Sequence, residues 1–401
     1  MAAYCLKAAG CKVTVIERCS LENVCGDVGG AYDISESTRE VFHHIGLGEE
    51  FDALKGKMEG FTMVNAVSGE LFKDAQFNGV FLAGLRRSEL QKVLFKAVGE
   101  DCLVCGSPVS KVEQNENSVT VTLENDIQYT ADFLIGADGI RSSVLKNLFP
   151  EEYEKTLKFA NCVSYWGFFD YKEEYGDIMK PGYGLSIQAP GSMIGGGVHG
   201  DGKEAVWAAL IKADEPKHSE TKLSPEELKN EAIEIFQHYK PESVPKMMRN
   251  TDPEKIFKVH VYDRDPLTTW HKERCLLIGD AAHGMNPFAG QGANMAIIDG
   301  FLISTILYRN LQFSQAGNIS SQILKKAFTK FEKLRKEPAT ANLNQARGTA
   351  DLVLNSGPIK FWMFRTVIWM TPQTYLSKFL FKADAQNHPA LRECGIEMKK
   401  N

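Results

Sequence analysis

The 401-residue sequence lacks several features that mark specialised classes of protein. No internal repeat or low-complexity tract stands out, and the N terminus has no positively charged start followed by an apolar segment, so no signal peptide is predicted. The net charge of −5 is spread over both signs without a basic patch, which argues against a nucleic-acid partner. The composition, 43% hydrophobic and 24% charged, is that of an ordinary globular protein.

Disulfide and metal frameworks are also missing. The nine cysteines are scattered and odd in number, which favours reduced thiols and an intracellular, cytoplasmic location. Cys102 and Cys105 form a CxxC pair, but neither a second pair nor a histidine cluster follows at zinc-ligand spacing, so no metal site is predicted.

The C-terminal run 359–370, IKFWMFRTVIWM, is too short for a transmembrane helix and contains Arg365. Packing against the rest of the protein is the favoured interpretation. An amphipathic lid and a helix lying on a membrane interface remain as alternatives, the latter making the protein a peripheral membrane protein.

The most informative stretch runs from Arg274 to Gly300, RCLLIGDAAHGMNPFAGQGANMAIIDG. The apolar run 275–278 predicts a buried parallel strand, and Asp280 follows its carboxyl end, where ligands of α/β sheets bind. Pro287, Gly290 and Gly292 mark a loop before an apolar helix. Glycines allow close approach of backbone to a ligand, and the start of a helix presents free N–H groups and a positive dipole.

GDAAH followed by PFAGQGAN resembles the second flavin motif of the FAD-dependent aromatic-ring monooxygenases typified by para-hydroxybenzoate hydroxylase. Within that family the chain is most similar to the tetracycline-inactivating, urate and zeaxanthin-type members. The resemblance implies that Asp280 bonds the ribityl chain of FAD and that Pro287 lies beside the isoalloxazine. The other cofactor residues that it implies in this motif are Gly290, Gln291, Gly292, Ala293 and Asn294.

The resemblance also implies an α/β fold, α+β overall. A Rossmann-like FAD-binding domain is expected, interleaved with an antiparallel β-sheet substrate domain and followed by C-terminal helices. We expect the FAD-binding domain in residues 1–60, 85–158 and 265–345, the substrate domain in 61–84 and 159–264, and a C-terminal helical segment in 346–401.

The N-terminal part supplies a second implied cofactor contact. KVTVI, residues 12–16, predicts a strand that ends at Glu17, which is placed to bond the adenosine ribose, with Arg18 over the adenine. The family's first strand and its GxGxxG turn would precede Met1. Met1 is therefore interpreted either as an internal methionine or as an alternative start, and we expect this chain alone to bind FAD weakly or not at all.

Two further segments resemble flavin motifs. Arg87, before a leucine-rich helix, corresponds to an arginine that reaches the ribityl and phosphate region, with a solvated helix-start arginine as the alternative. GADGIRSS, with Asp138, resembles the middle motif associated with both FAD and NAD(P)H. Leu145 stands where the family usually has arginine, so the nicotinamide side departs from the family pattern.

Residues 159–265 are rich in glycine and in short strand patterns typical of the substrate domain. Aromatic and polar side chains on these strands are candidates for substrate contact, although aromatic residues at alternating positions are often core residues. The candidates are Trp166, Phe168, Gln188, His199 and Trp207.

The activity that the resemblance implies is monooxygenation. NAD(P)H reduces FAD, and O₂ is then used through a flavin C4a-hydroperoxide to hydroxylate or epoxidise a small hydrophobic or aromatic substrate. The cofactor performs the chemistry, so no catalytic side chain is assigned. The alternative is a catalytically silent paralogue that binds a small molecule or a partner.

Overall fold

The structure is a computed structural model, and it describes residues 1–26, 29–54, 56–77, 80–199, 202–216, 223–311, 319–373, 375 and 382–398. The helices are α1 Ala2–Ala8, α2 Leu21–Cys25, α3 Glu36–His44, α4 Gly48–Asp52, α5 Arg87–Val98, α6 Ser143–Leu148, α7 Pro150–Thr156, α8 Pro225–Phe236, α9 Ser243–Asn250, α10 Asp280–His283, α11 Gly292–Leu311, α12 Ser321–Leu354, α13 Pro358–Met370, α14 Lys382–Ala385 and α15 His388–Glu393.

The strands alternate with these helices through the chain. They are β1 Val15–Glu17, β2 Ala31–Ser35, β3 Lys57–Met58, β4 Gly60–Asn65, β5 Leu71–Gln76, β6 Leu82–Arg86, β7 Leu103–Cys105, β8 Val109–Gln114, β9 Val119–Leu123, β10 Gln128–Ala131, β11 Leu134–Gly136, β12 Leu157–Asp170, β13 Tyr183–Ala189, β14 Ser192–His199, β15 Glu204–Lys212, β16 Ile256–Arg264, β17 His271–Lys272 and β18 Cys275–Leu277.

The parallel strands expected of a Rossmann-like unit form two separate small sheets in the described part of the chain. β1 pairs in parallel with β7, and β11 pairs in parallel with β18, which also pairs with β17. All three residues of β18 are fully buried, as the apolar run predicts. Helix α11 is buried on most of its surface and packs against α1 and α12, so it forms the centre of the largest hydrophobic core.

The largest sheet has seven strands in the order β16-β12-β15-β14-β13-β4-β5. Its neighbours are antiparallel except for β13 and β4. Alternation along β12 separates its two faces. One face, which includes Tyr165 and Phe169, packs in a core with residues of α8 and α9, and the other faces α12 and the loop that contains Phe288.

The predicted mixed α/β architecture is confirmed. Four of the five expected domain limits fall inside secondary structure, two of them close to the start of a strand, at 60/61 in β4 and at 158/159 in β12. The limit between residues 84 and 85 falls within β6, which pairs with β2 and β3, and the limit between 345 and 346 falls within α12. A β-strand and a continuous helix therefore connect segments that the sequence pattern separates.

Candidate cofactor and substrate site

The turn that carries Asp280 follows β18 directly. Gly279 has a φ of 56°, and a Cβ there would lie 3.1 Å from the Ala296 Cβ, so both conformation and close packing favour glycine. Asp280 then begins α10 with its carboxylate open to solvent in a crowded cleft. The surrounding protein raises the pKa of Asp280 by desolvation, while the charges of His283 and Arg87 partly oppose that effect.

A buried network holds this turn in place. The Asp299 carboxylate accepts hydrogen bonds from the Gly279 amide at 3.0 Å and from the Arg335 Nε at 2.6 Å, and it lies 2.6 Å from the His283 Nε2. Burial alone would raise the pKa of Asp299, but Arg335 and His283 reverse the shift and hold it at about 2. Sequence reasoning missed this network, although an aspartate and an arginine in otherwise apolar helix faces are a visible signal.

The loop between α10 and α11 is lined by glycine, as predicted. Pro287 begins a single 3-10 turn, and Gly290 follows in the left-handed conformation with a φ of 62°. Gln291 is buried, and its Oε1 atom has no hydrogen-bond partner in the described structure. Helix α11 starts at Gly292, so the N–H groups of its first turn lack partners within the helix. A buried acceptor and free donors therefore meet beside Asp280.

The side chain of Asn294 has a structural role. It is fully buried and donates to the backbone carbonyls of Asp33 at 2.8 Å and of Gly290 at 3.3 Å. Its Oδ1 atom accepts hydrogen bonds from Ser35 and Thr38. The side chain thus joins β2 and α3 to the glycine loop and positions the site, while the backbone N–H of Asn294 belongs to the first turn of α11.

Asp33 lies in residues 29–33, which resemble a loop near the flavin in the tetracycline-inactivating relatives; residues 31–33 belong instead to β2, and the sequence gives Asp33 no role of its own. Asp33 of β2 pairs with Gly84 of β6. The Asp33 Oδ2 atom lies 3.9 Å from the position that a Cβ on Gly290 would occupy. The carboxylate is open to solvent in the same cleft as Asp280. Desolvation by the surrounding protein raises its pKa to about 6. The available signal was a charged residue in the short strand pattern AYDIS.

Arg87 lies beside the glycines at positions 29 and 30. Its amide donates to the Gly30 carbonyl at 3.1 Å, and its Cδ atom would lie 3.0 Å from a Cβ on Gly29. Its charge lowers the pKa values of Tyr32 and Asp280, although desolvation remains the larger effect on each and raises both. Arg87 is therefore close enough to a ligand between these residues to provide a positive charge.

The inner face of the seven-stranded sheet supplies an aromatic wall. Trp166 packs so closely against Gly30 that a Cβ on that glycine would lie 2.8 Å from the indole ring. The Trp166 ring is parallel to that of Phe257, with centroids 6.2 Å apart. The guanidinium of Arg86 lies 4.3 Å from the centroid of Phe168. Trp166 and Phe168, the first two candidate substrate residues, thus contact Gly30 and Arg86, which lie next to Arg87.

Polar groups accompany this wall. The Nδ1 atom of His199 lies 3.2 Å from the Gly84 carbonyl, whereas its Nε2 atom is buried without a partner. Desolvation lowers the pKa of His199 to about 4, so its imidazole is neutral at pH 7. Gln188 is buried on the same sheet, donates to Ser186 at 3.0 Å and leaves its Oε1 atom unpaired in the described structure.

Trp207 is placed elsewhere, and its assignment as a substrate residue is wrong. It is fully buried in the core on the outer face of the sheet, where it packs against Gly167 and its Nε1 donates to Thr251 at 2.9 Å. A strand pattern shows that alternate residues share a face, but it does not show which face borders the cleft.

The remaining cofactor candidates lie at strand ends. Glu17 ends β1, and its carboxylate accepts the Cys19 amide at 2.9 Å, while Arg18 is exposed. Asp138 follows β11 and accepts hydrogen bonds from Ser142 and from the Val144 amide at 3.0 Å. Asp138 therefore organises the turn into α6.

The donor set of the cleft fits a dinucleotide cofactor with a flavin ring. The free N–H groups at the start of α11, the Asp280 carboxylate and the unpaired Gln291 oxygen lie close together. Because Gly290 and Gly292 have no side chains, a ligand can approach the backbone there closely. In the part of the chain that the structure describes, no group of three or more His, Cys, Asp or Glu side chains is arranged to hold a metal ion.

Comparison with known proteins decides the family. A family model described as an FAD binding domain matches residues 1–326. The chain belongs to this FAD-binding family. The resemblance to the FAD-dependent monooxygenases and the prediction of FAD as the cofactor are thereby confirmed.

Two relatives show the range of similarity within the FAD-binding family. Zeaxanthin epoxidase, chloroplastic, from Arabidopsis thaliana is 34% identical over 254 residues, which are 63% of this chain and 36% of the relative. Aurachin C monooxygenase/isomerase from Stigmatella aurantiaca is 26% identical over 285 residues, covering 70% of this chain and 71% of the relative. The chain spans between 34% and 47% of the length of the zeaxanthin epoxidases that it matches.

The fold agrees with a solved structure of the same kind. HpxO from Klebsiella pneumoniae, in complex with FAD and uric acid, superposes with a TM-score of 0.81 over 96% of this chain and 93% of the other, at 18% identity. The named relatives are enzymes, so they do not support the alternative of a silent binding protein. Among the described helices, none combines the length and the apolar character needed to span a membrane.

Proposed function

We propose that this chain is an NAD(P)H- and FAD-dependent monooxygenase that hydroxylates or epoxidises a small, electron-rich hydrophobic substrate, aromatic or polyene. One observation carries the proposal. The glycine-lined loop before α11 and the inner face of the seven-stranded sheet lie against each other, because Phe288 of that loop packs with Cys162 and Leu210 of the sheet. On the same face of the sheet Trp166 contacts Gly30, and the nearby Arg87 is close enough to Asp280 for its charge to lower the pKa of that carboxylate. An FAD held at the loop would face a hydrophobic substrate held at the sheet.

Bound FAD would supply the redox chemistry, accepting hydride from NAD(P)H and activating O₂. The chain's own residues would bind and orient it. Asp280 would accept hydrogen bonds from the ribityl hydroxyls, and Pro287 would lie beside the ring. The positive end of α11 at Gly292 would stabilise negative charge on the reduced ring without reorganisation.

The outer parts of the cofactor would rest on the strand-end residues. Glu17 is proposed to bond the adenosine ribose, with Arg18 beside the adenine. Arg87 would provide charge near the ribityl and phosphate region, and Asp138 would hold the loop that approaches FAD or NAD(P)H. These roles are supported by the position of each residue at the end of a parallel strand or at the cleft.

The substrate side is suited to a flat or extended apolar molecule. Trp166 is half-buried and keeps its orientation by stacking on Phe257, whereas the ring of Phe168 is buried under the Arg86 guanidinium. Gln188 Oε1 and His199 Nε2 are buried atoms without partners in the described structure, so a polar group of the substrate beside either atom would satisfy that atom. Exclusion of water by this wall would limit side reactions with water in the site.

The balanced reaction consumes one substrate, O₂, NAD(P)H and H⁺, and yields the oxygenated substrate, NAD(P)⁺ and water. The test supplies excess FAD, then measures substrate-stimulated NADPH or NADH oxidation and the incorporation of ¹⁸O from ¹⁸O₂. We expect label in the product for an electron-rich aromatic or polyene. A protein that binds FAD but incorporates no label with any such substrate would overturn the proposal.

A further inference from the structure

Helix α13 carries an exposed apolar stripe that the proposed activity does not use. Ile359, Trp362, Met363, Val367 and Met370 fall on one face of the helix, at spacings of three, four, eight and eleven residues from the first. They are between 55% and 78% exposed. Single exposed apolar residues are ordinary, but a continuous stripe of this kind marks an interaction surface.

The opposite face fixes the helix on the seven-stranded sheet. Phe361 is buried, and Ile368 packs against Phe72 and its neighbours on β4 and β5. Lys73 donates to the carbonyls of Trp369 at 3.2 Å and Thr371 at 2.8 Å, satisfying acceptors that the helix end leaves free. The favoured sequence interpretation, packing against the protein, therefore describes one face only, and the apolar stripe is held outward.

Basic residues predominate in the segment that carries the stripe. Residues 352–383 contain four basic residues and no acidic residue, in a chain whose net charge is −5. Lys360 lies at one border of the stripe, whereas Arg365 is partly buried, with its guanidinium 4.9 Å from the centroid of the Phe72 ring. The Lys360 ammonium is exposed and lies 3.7 Å from the exposed Asp351 carboxylate, a pair too solvated to neutralise it strongly. The remaining two, Lys378 and Lys382, follow in the sequence.

We propose that α13 docks this protein on the surface of an anionic lipid membrane, lying in the plane of the interface. A 13-residue helix is about 20 Å long, too short to cross a bilayer. Its apolar face with tryptophan and the exposed Lys360 at its border are features that hold helices at lipid headgroups, and Lys378 and Lys382 add positive charge to the segment that follows. A second copy of the chain fits less well because it would bring the same basic residues together.

The test measures binding of the purified protein to vesicles of phosphatidylcholine alone and of phosphatidylcholine with phosphatidylserine. We expect binding to the anionic vesicles, weakening with added salt, and a blue shift of tryptophan fluorescence as Trp362 and Trp369 leave water. The double variant Trp362→Gln/Trp369→Gln should weaken binding about tenfold or more. Lys360→Glu should weaken it less.

Ile127→Gln is the matched control, because Ile127 is an exposed apolar residue on a different surface, and it should bind like the unaltered protein. Unchanged thermal unfolding of each variant shows that the fold is intact. Equal binding of the double variant and the unaltered protein would overturn the proposal. So would a dimer that forms without vesicles and is lost in the double variant, because a second copy would then cover the stripe.

Discussion

Two carboxylates on either side of one turn have opposite environments. Asp299 is fully buried and bonded to Arg335, to the Gly279 amide and to His283. Asp280, the residue after Gly279, is open to the cleft, and its carboxylate has no hydrogen-bond partner among the described residues. A satisfied charge stabilises the fold, whereas a charge that the protein leaves unsatisfied is available to a ligand.

The pKa values express the same difference. Arg335 and His283 hold the pKa of Asp299 at about 2 against the effect of burial. Desolvation raises the pKa of Asp280, and the charges of His283 and Arg87 offset this effect only in part. Desolvation alone raises the pKa of Asp33 to about 6. The contrast predicts that removal of the first carboxylate damages stability, and that removal of the other two damages ligand binding.

The largest expected effect is on folding. Asp299→Asn leaves the fully buried Arg335 without its anionic partner, so the free energy of unfolding should fall by about 3–5 kcal/mol. Urea denaturation without FAD measures this loss. Asp101→Asn, which alters an exposed pair with Lys7, is the control and should change little. An unchanged unfolding midpoint in Asp299→Asn would contradict the structural role.

The same residue predicts an acid limb of stability. Because the pKa of Asp299 in the folded protein, about 2, lies below its ordinary value of 3.8, its stabilising contribution is complete above pH 4. It should be lost as the pH falls from about 4 towards 2. Acid unfolding followed by circular dichroism should show a smaller loss over this range in Asp299→Asn than in the unaltered protein.

The second effect concerns the cofactor. Asp280→Asn should weaken FAD binding by about ten- to a hundredfold, because hydrogen bonds to a charged acceptor are replaced by weaker ones. Stability without FAD should be unchanged or higher, since desolvation disfavours the ionised carboxylate. Quenching of flavin fluorescence and urea denaturation measure the two quantities. A loss of stability comparable with that of Asp299→Asn would remove the distinction between the two carboxylates.

A third, smaller effect should appear at Asp33. Its pKa of about 6 lies above its ordinary value of 3.8, so the folded state binds a proton that the unfolded state releases. Stability should therefore fall as the pH rises from about 4 to about 6, and Asp33→Asn should lack that decline. Thermal unfolding at pH 4, 5, 6 and 7 tests the difference. Parallel curves for both proteins would show that the carboxylate is already well solvated.

The smallest effect is expected from His199. Because desolvation lowers its pKa from 6.5 to about 4, the unfolded state gains the proton first as the pH falls. Stability should decrease between pH 6.5 and 4, and His199→Asn should reduce that decrease while keeping a donor for the Gly84 carbonyl. The same thermal measurements apply. A steeper acid loss in the variant would show that the imidazole is protonated in the folded protein.

Several parts of the structure were predictable because their signals are local. The buried strand before Asp280, the glycine turn and the start of α11 all depend on residues that are neighbours in sequence. The hairpin of β8 and β9 follows from alternation around two asparagines. The role of Asp33 within the segment 29–33 could not be predicted, because a single charged residue in a short strand has no period by which to judge its surroundings.

The sequence by itself determined the cofactor segment and the mixed α/β architecture, because composition and short-range pattern carry that information. Only the tertiary structure decided which carboxylates are paired, which face of β12 borders the cleft and which face of α13 is exposed. Asp299 meets Arg335, and Asp33 meets the Gly290 loop, through contacts between segments far apart in the chain. Such contacts set burial and hence the free energy of each charge, which no local pattern specifies.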